Sequence, residues 1–223
     1  MANRLITWLG NFLKPPQGAQ IDIKRRHIVA AGVAGLGGGL LFQAQPPALR
    51  RNLNPAFIRP PGAVADEAFL GKCIRCGECM KVCPTNAIQP ALLEMGLDGM
   101  WSPLLKMRLG YCEYQCNMCT TVCPTEAIAK LTLEKKQKTK IGLSVVEKDR
   151  CLPYAYGTNC QRCYDQCPLP DKAISMVEST VAVGSRMLRI KQPQVNSKLC
   201  TGCGVCENKC PVDGQAAIRV VSI

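Results

Sequence analysis

The stretch Cys73-Ile74-Arg75-Cys76-Gly77-Glu78-Cys79-Met80-Lys81-Val82-Cys83-Pro84 decides how this chain is read. Its pattern, C-x2-C-x2-C-x3-C-P, returns unaltered as Cys200, Cys203, Cys206 and Cys210-Pro211. Two variants lie between these copies: Cys112, Cys116, Cys119 and Cys123-Pro124, then Cys151, Cys160, Cys163 and Cys167-Pro168. The first cysteines of successive groups are 39, 39 and 49 residues apart, which marks an internal repeat. Each group is followed by the same dipeptide, as Ala87-Ile88, Ala127-Ile128, Ala173-Ile174 and Ala217-Ile218. All 16 cysteines of the 223 residues fall into these four groups.

The spacing has a chemical reason. Three thiolates within seven residues wrap three irons of one cube only if the chain coils tightly, and the coil's N–H groups then point at the sulfides. The cysteine before proline typically ligates the other cluster of a pair. The proline then suits the first turn of a short helix leading away, and the Ala-Ile enters a strand packed on the partner repeat. Gly77, Gly202 and Gly204 allow close backbone approach. Zinc ribbons use two C-x2-C pairs far apart, not four cysteines ending in proline. Cysteines three apart, four times over, make an odd disulfide framework. Cys112-x3-Cys116-x2-Cys119 is also the spacing of radical S-adenosylmethionine enzymes, but Cys123 supplies a fourth ligand and no room remains for a (β/α) barrel.

Groups two and three depart from the pattern, one by a single added residue, the other by Leu152 to Asn159 with Pro153, Tyr154, Tyr156 and Gly157. These loops either reshape solvent access and hydrogen bonding at their clusters or are surface bulges. As neighbours, the two altered groups are expected to share one half, with groups one and four forming the other.

The formal charge is +12, unevenly spread. Residues 1–60 hold eight Lys/Arg and one acid, a net of +7, while residues 61–223 carry +5. Four oxidised clusters with their thiolates add about −8, which brings the cysteine-bearing part to about −3. The basic composition is therefore counter-charge and membrane address rather than a nucleic-acid footprint. The single histidine, His27, excludes a Rieske ligand set, an H-E-x-x-H protease and a His-based acid/base pair. No C-x-x-C precedes a His, so covalent c-type haem is excluded too. No Rossmann or P-loop glycines and no nucleophile–base pair are present, so no catalytic residue is assigned.

Arg25-Arg26 before a weakly apolar, glycine-rich run resembles a twin-arginine export signal; the alternative is that Lys24-Arg25-Arg26 flank a membrane anchor. Ile28 to Phe42 is about 22 Å long as a helix against ~30 Å of hydrocarbon, enough to span with Gln43 to Gln45 at the far interface. No clear cleavage site follows, which leads us to expect an uncleaved anchor. Ala31, Gly35 and Gly39 make one small-residue face, either for a second membrane helix or merely part of a signal core. Leu5, Ile6, Trp8, Leu9, Phe12 and Leu13 form a short apolar stripe ahead of it, suited to a membrane surface.

With the linker Arg59-Pro60-Pro61-Gly62-Ala63, these features make the chain resemble the NapG/MauM family of periplasmic ferredoxin-type proteins from about Arg25 to Ile218. The resemblance implies that each of the sixteen cysteines ligates one of four [4Fe–4S] clusters. It also implies an electron-transfer subunit beside an integral membrane quinol-oxidising or cytochrome subunit, passing electrons toward a periplasmic redox partner. A ferredoxin for maturation of a periplasmic enzyme and a catalytic iron–sulfur enzyme are the competing classes. The expected fold is α+β: a tandem bacterial ferredoxin-like arrangement of two pseudo-twofold dicluster units with an N-terminal membrane-anchor helix. The expected segments are 1–24 cytoplasmic or interfacial, 25–45 signal and anchor, 46–65 linker, and 66–223 the polyferredoxin domain on the periplasmic side.

Between the groups, Ile141, Leu143 and Val145 predict a strand entering group three. Ala91 to Met95 and Leu104 to Leu109 predict short helices, with Trp101 a core anchor. Lys135, Lys136, Lys138 and Lys140 predict a solvated charged run.

Overall fold

The computed structural model describes residues 28, 31–37, 57–183 and 186–223. The chain divides into two units, Met1–Pro46 and Pro47–Ile223. In the first, residues 31–37 are helical and carry Ala31 and Gly35 of the expected small-residue face, while Gly39 lies outside the described residues. Among the described residues no helix is long and apolar enough to cross a membrane, and seven of the 15 residues of the expected anchor, Ile28 to Phe42, fall outside them. So does the stripe from Leu5 to Leu13.

The second unit runs α1 (Asp66–Lys72), α2 (Glu78–Lys81), β1 (Ile88–Pro90), α3 (Gly96–Gly99), β2 (Pro103–Leu105), α4 (Met118–Thr121), α5 (Leu133–Lys138), β3 (Leu143–Val146), α6 (Leu152–Ala155), α7 (Arg162–Asp165), β4 (Ile174–Val183), β5 (Arg186–Val195), α8 (Val205–Asn208) and β6 (Ile218–Val221). The strands form three antiparallel pairs: β1 with β2, β3 with β6, and β4 with β5.

The pairing follows the repeated Ala-Ile. All four alanines and all four isoleucines are buried, and each isoleucine side chain contributes about 1.5–3 kcal/mol by leaving water. Each alanine carbonyl accepts an N–H from the chain ahead of another cysteine group. Lys106 donates to Ala87, Val64 to Ala127, Asn196 to Ala173, and Glu147 to Ala217. The strand after the first group of a pair thus meets the chain entering the second, and the strand after the second returns to the chain entering the first. Ile88 faces Leu105, Ile174 faces Val195, Ile218 faces Val146, and Ile128 forms an isolated bridge with Ala63.

This closure joins group one to group two and group three to group four. The expectation that the two altered groups share one half is therefore corrected: sequence neighbours pair because the returning strand reaches only the chain just before its own pair.

From Phe57 onward the stretch read as linker is packed. Ile58 is buried and bridges Leu105, and Arg59 lies 4.5 Å from the Phe69 ring centroid. Its guanidinium donates to Asp66 Oδ1 at 2.8 Å, Ser102 Oγ at 3.0 Å and the Pro103 carbonyl at 2.8 Å. Asp66 and Glu67 in the first turn of α1 and Lys72 in its last suit the helix dipole.

Several local expectations change. The predicted strand before group three is β3, but Ala91 to Met95 is irregular and the helix begins at Gly96. Leu104 to Leu109 is strand and turn rather than helix, because β1 supplies backbone partners that outweigh helix propensity. Trp101 is exposed at φ 66°, not a core anchor. Pro84 and Pro124 open turns, and Pro168 and Pro211 irregular bends, rather than helices; the short helices α2, α4, α7 and α8 instead carry the third cysteine of each group.

Candidate metal centres

Each of those helices buries one cysteine, Cys79, Cys119, Cys163 or Cys206, at the base of its group. Gly77 and Gly204 begin α2 and α8 in the left-handed region, at φ 78° and 80°, where a glycine pays no Cβ penalty. In the altered groups Asn117 and Gln161 occupy this position at φ −134° and −133°. The different spacing therefore goes with a different entry into the helix.

Three cavities are each lined by four cysteines. Cys73, Cys76, Cys79 and Cys123 share one of about 340 Å³, Cys112, Cys116, Cys119 and Cys83 another of about 340 Å³, and Cys151, Cys160, Cys163 and Cys210 a third of about 360 Å³. In every case the fourth cysteine comes from the other group of the pair, as the spacing predicts. In group four, Ser144 Oγ lies 3.2 Å from Cys206 Sγ and 3.5 Å from Cys200 Sγ. Cys203 feels the charges of Cys167 and Cys200, and that of Cys112 from group two; the exchange seen in the three cavities makes Cys167 the counterpart of the fourth cysteine beside Cys200, Cys203 and Cys206. Among the described residues no three His, Cys, Asp or Glu side chains converge as a single metal ion requires. Four cysteines drawn from two groups and lining one cavity fit a polynuclear group instead.

The 4Fe-4S binding domain family matches residues 69–89, and the 4Fe-4S dicluster domain family matches residues 156–213. The chain is 33% identical over 212 residues to the "Ferredoxin-type protein NapG" of Escherichia coli (strain K12), covering 94% of this chain and 88% of that protein. It is 36% identical over 210 residues to the "Methylamine utilization ferredoxin-type protein MauM" of Methylorubrum extorquens, covering 93% of this chain and 91% of that one. The chain belongs to the NapG/MauM ferredoxin-type proteins. The MauM protein of Paracoccus denitrificans is 37% identical over 197 residues, 86% of this chain and 82% of that protein. No solved structure matches the chain.

As a NapG/MauM ferredoxin-type chain this is an iron–sulfur electron-transfer protein, and [4Fe–4S] clusters are its cofactors. The electrostatics fit such a group. Burial, then the charges of Cys73, Cys76 and Cys123, push the Cys79 thiol up to about 12. Cys119 and Cys163 rise to about 12, and Cys151 and Cys203 to about 11, chiefly by burial. Burial also lifts Cys206. Such thiols are protonated in the free chain, so ligation of iron as thiolates must release their protons. Cys83 and Cys123 run the other way. Burial opposes their ionisation, but N–H groups outweigh it: those of Ile88, Ala87 and Thr85 at Cys83, and those of Ile128, Thr125 and Ala127 at Cys123, each joined by the neighbouring threonine hydroxyl. The turn opened by proline supplies these donors.

Three contributors were missed in the sequence. Ser144 reaches two sulfurs across the pair. Arg108 donates to the carbonyls of Gly214 at 3.0 Å, Glu207 at 3.1 Å, Cys210 at 2.9 Å and Val212, and so fastens one half to the other. Lys136, expected in a solvated run, is buried. No spacing marks any of the three, because each acts across at least one strand or loop. The group-three insertion is anchored at its start, where Pro153 is fully buried and Tyr154 Oη donates to the Pro193 carbonyl at 3.1 Å, while Tyr156, Thr158 and Asn159 are exposed.

Proposed function

We propose that the sixteen cysteines ligate four [4Fe–4S] clusters in the sets described, and that the protein relays electrons through them beside an integral membrane subunit. That subunit oxidises quinol or carries a cytochrome, and the relay hands electrons to a periplasmic redox partner. The observation that carries the reading is how the sets adjoin. Cys119 of the group-two set is influenced by Cys79 of the group-one set, and Cys206 of the group-four set by Cys163 of the group-three set. Between the halves, the Cys112 N–H donates to the Cys203 carbonyl at 2.8 Å. The sets therefore run one, two, four, three, with no break. When bound, the clusters supply one-electron acceptance and donation; the chain supplies ligands, N–H donors and spacing.

The outer end at group one suits a partner. Cys76 is exposed, as are nearby Ile74 and the Met100-Trp101 segment. Arg75 holds that surface together, donating to the carbonyls of Met100 at 3.0 Å and Asp98 at 2.7 Å. Arg25-Arg26 and the apolar run after it support export and anchoring on the periplasmic side of the inner membrane. The relatives named NapG and MauM are ferredoxin-type proteins, in keeping with a relay rather than a catalyst.

Iron analysis tests the ligand reading: about 16 iron per chain, with spin–spin coupling in the reduced EPR spectrum, is expected. About four zinc, or less than half that iron, would sink it. Co-purification with a multi-span membrane subunit, and clusters reducible by quinol, are expected of the complex; clusters inert to quinol would remove that link. Mass spectrometry of the mature protein tests the anchor, and loss of residues 1–44 would refute it.

A further inference from the structure

Lys135, Lys138 and Lys140 are exposed, as a solvated run requires, but Lys136, which shares the short helix α5 with Lys135 and Lys138, is only 6% exposed. Its Nζ donates to the Glu113 carbonyl and, at 3.3 Å, to the Tyr114 carbonyl. Both carbonyls belong to the loop from Cys112 to Cys116 that carries the added residue of group two. Lys136 also lines one small cavity with Cys112, Tyr114 and Cys203, at the junction of the two halves.

No carboxylate pairs with this ammonium among the described residues, not even that of Glu113, whose carbonyl it holds. A buried charge with no counter-ion is strongly unfavourable. The charge nearest to hand is that of the cysteine set: Cys112 is held down by the Lys136 charge, though burial, the larger effect, leaves its thiol raised. With a cluster bound, that set is a dianion. The buried cation and the group-two set are then each other's counter-charge, and the carbonyl hydrogen bonds fix the distance between them.

We propose that Lys136 is a positioning residue that raises the reduction potential of the cluster held by Cys83, Cys112, Cys116 and Cys119, making this inner cluster a resting place for the transferred electron. One-electron reduction adds one negative charge to that set, and a fixed ammonium beside it stabilises the reduced form more than the oxidised one. The extra residue of group two then has a use: it creates the two inward-facing carbonyls that seat the lysine. The inference rests on the ligand sets proposed above.

The test is a dithionite titration of the full iron-loaded chain, followed by EPR at controlled potential. It compares the native protein with Lys136→Gln, which keeps a donor for the carbonyls but no charge, and Lys136→Arg, which keeps the charge. All three are expected to hold the same iron. In Lys136→Gln one of the four components becomes harder to reduce, with its reduced-to-oxidised ratio at fixed potential falling about tenfold. The group-four component moves less, the other two do not move, and Lys136→Arg stays close to the native protein. Unchanged potentials in a fully loaded Lys136→Gln would overturn the proposal. So would loss of one cluster from Lys136→Gln with all four kept in Lys136→Arg, since the charge would then hold the cluster rather than tune it. A native protein lacking the expected iron would instead overturn the ligand assignment.

Discussion

The two halves solve one problem with different lengths of chain. In the N-terminal half, groups one and two are linked through strands of three residues each, with α3 and an apolar excursion between them. In the C-terminal half, the equivalent strands β4 and β5 are ten residues each and stay paired in register from Ile174 and Val195 to Val183 and Arg186. The cysteine geometry at their base is nonetheless the same, down to the N–H accepted by each repeated alanine. Only the first residue pair of each hairpin is needed to set the cysteines, and the rest is free to differ. The N-terminal half uses that freedom for exposed apolar side chains near Cys76. The C-terminal half uses it to give the inserted helix α6 a strand to pack on.

Exchange of the fourth cysteine within each half gives the sharpest test of this pairing. Cys83→Ser is expected to remove about 4 of about 16 iron. Combined with Cys116→Ser it should remove no more, because both changes hit one set, whereas combined with Cys76→Ser it should remove about 8. Iron counts in which Cys83→Ser is redundant with Cys76→Ser would break the pairing.

The next largest effect is in pH. In the reduced, iron-free chain, Cys79 and Cys119 in one half and Cys163 in the other ionise only near pH 12, against about 9 unfolded. Between these values the unfolded chain has lost protons that the folded chain keeps. Stability is thus present below pH 9 and falls as pH rises toward 12. Denaturant unfolding from pH 8 to 10.5 should show this fall, and the iron-loaded protein, whose thiolates are already deprotonated, should not.

Arg108→Ala removes the guanidinium that four carbonyls of the other half accept from, and should cost about 3 kcal/mol. Its thermal unfolding should separate into two steps, one per half; a single unshifted transition would show that the halves are held by other contacts.

The smallest contrast lies in the matching glycines. A Cβ at Gly204 would stand 2.2 Å from Met107 Sδ, at the seam of the halves, whereas one at Gly77 meets nothing within 4 Å. Gly77→Ala should cost about 1–2 kcal/mol, the left-handed conformation alone. Gly204→Ala should cost about 1–3 kcal/mol more, and equal melting shifts would mean that Met107 yields freely.

The four groups, the class of cofactor and the exchange of the cysteine before proline were legible in the residues, because cluster ligation demands a short-range spacing that leaves its mark on the chain. The repeated Ala-Ile also announced its strands. Trp101 and Leu104 to Leu109 were misread, because strand pairing with β1 and exposure at a turn are set by what lies opposite, not by local pattern.

The residues alone carry the chemistry: sixteen thiols in four groups of four, one histidine, and no other reactive constellation. Folding sets which groups pair, the contact of group two with group four, and the burial of Lys136 among lysines that look alike. Those depend on contacts between residues tens of positions apart, such as Lys106 with Ala87 and Cys112 with Cys203. Hydrogen bonds of that kind form only once the chain has closed, and no spacing along it records them.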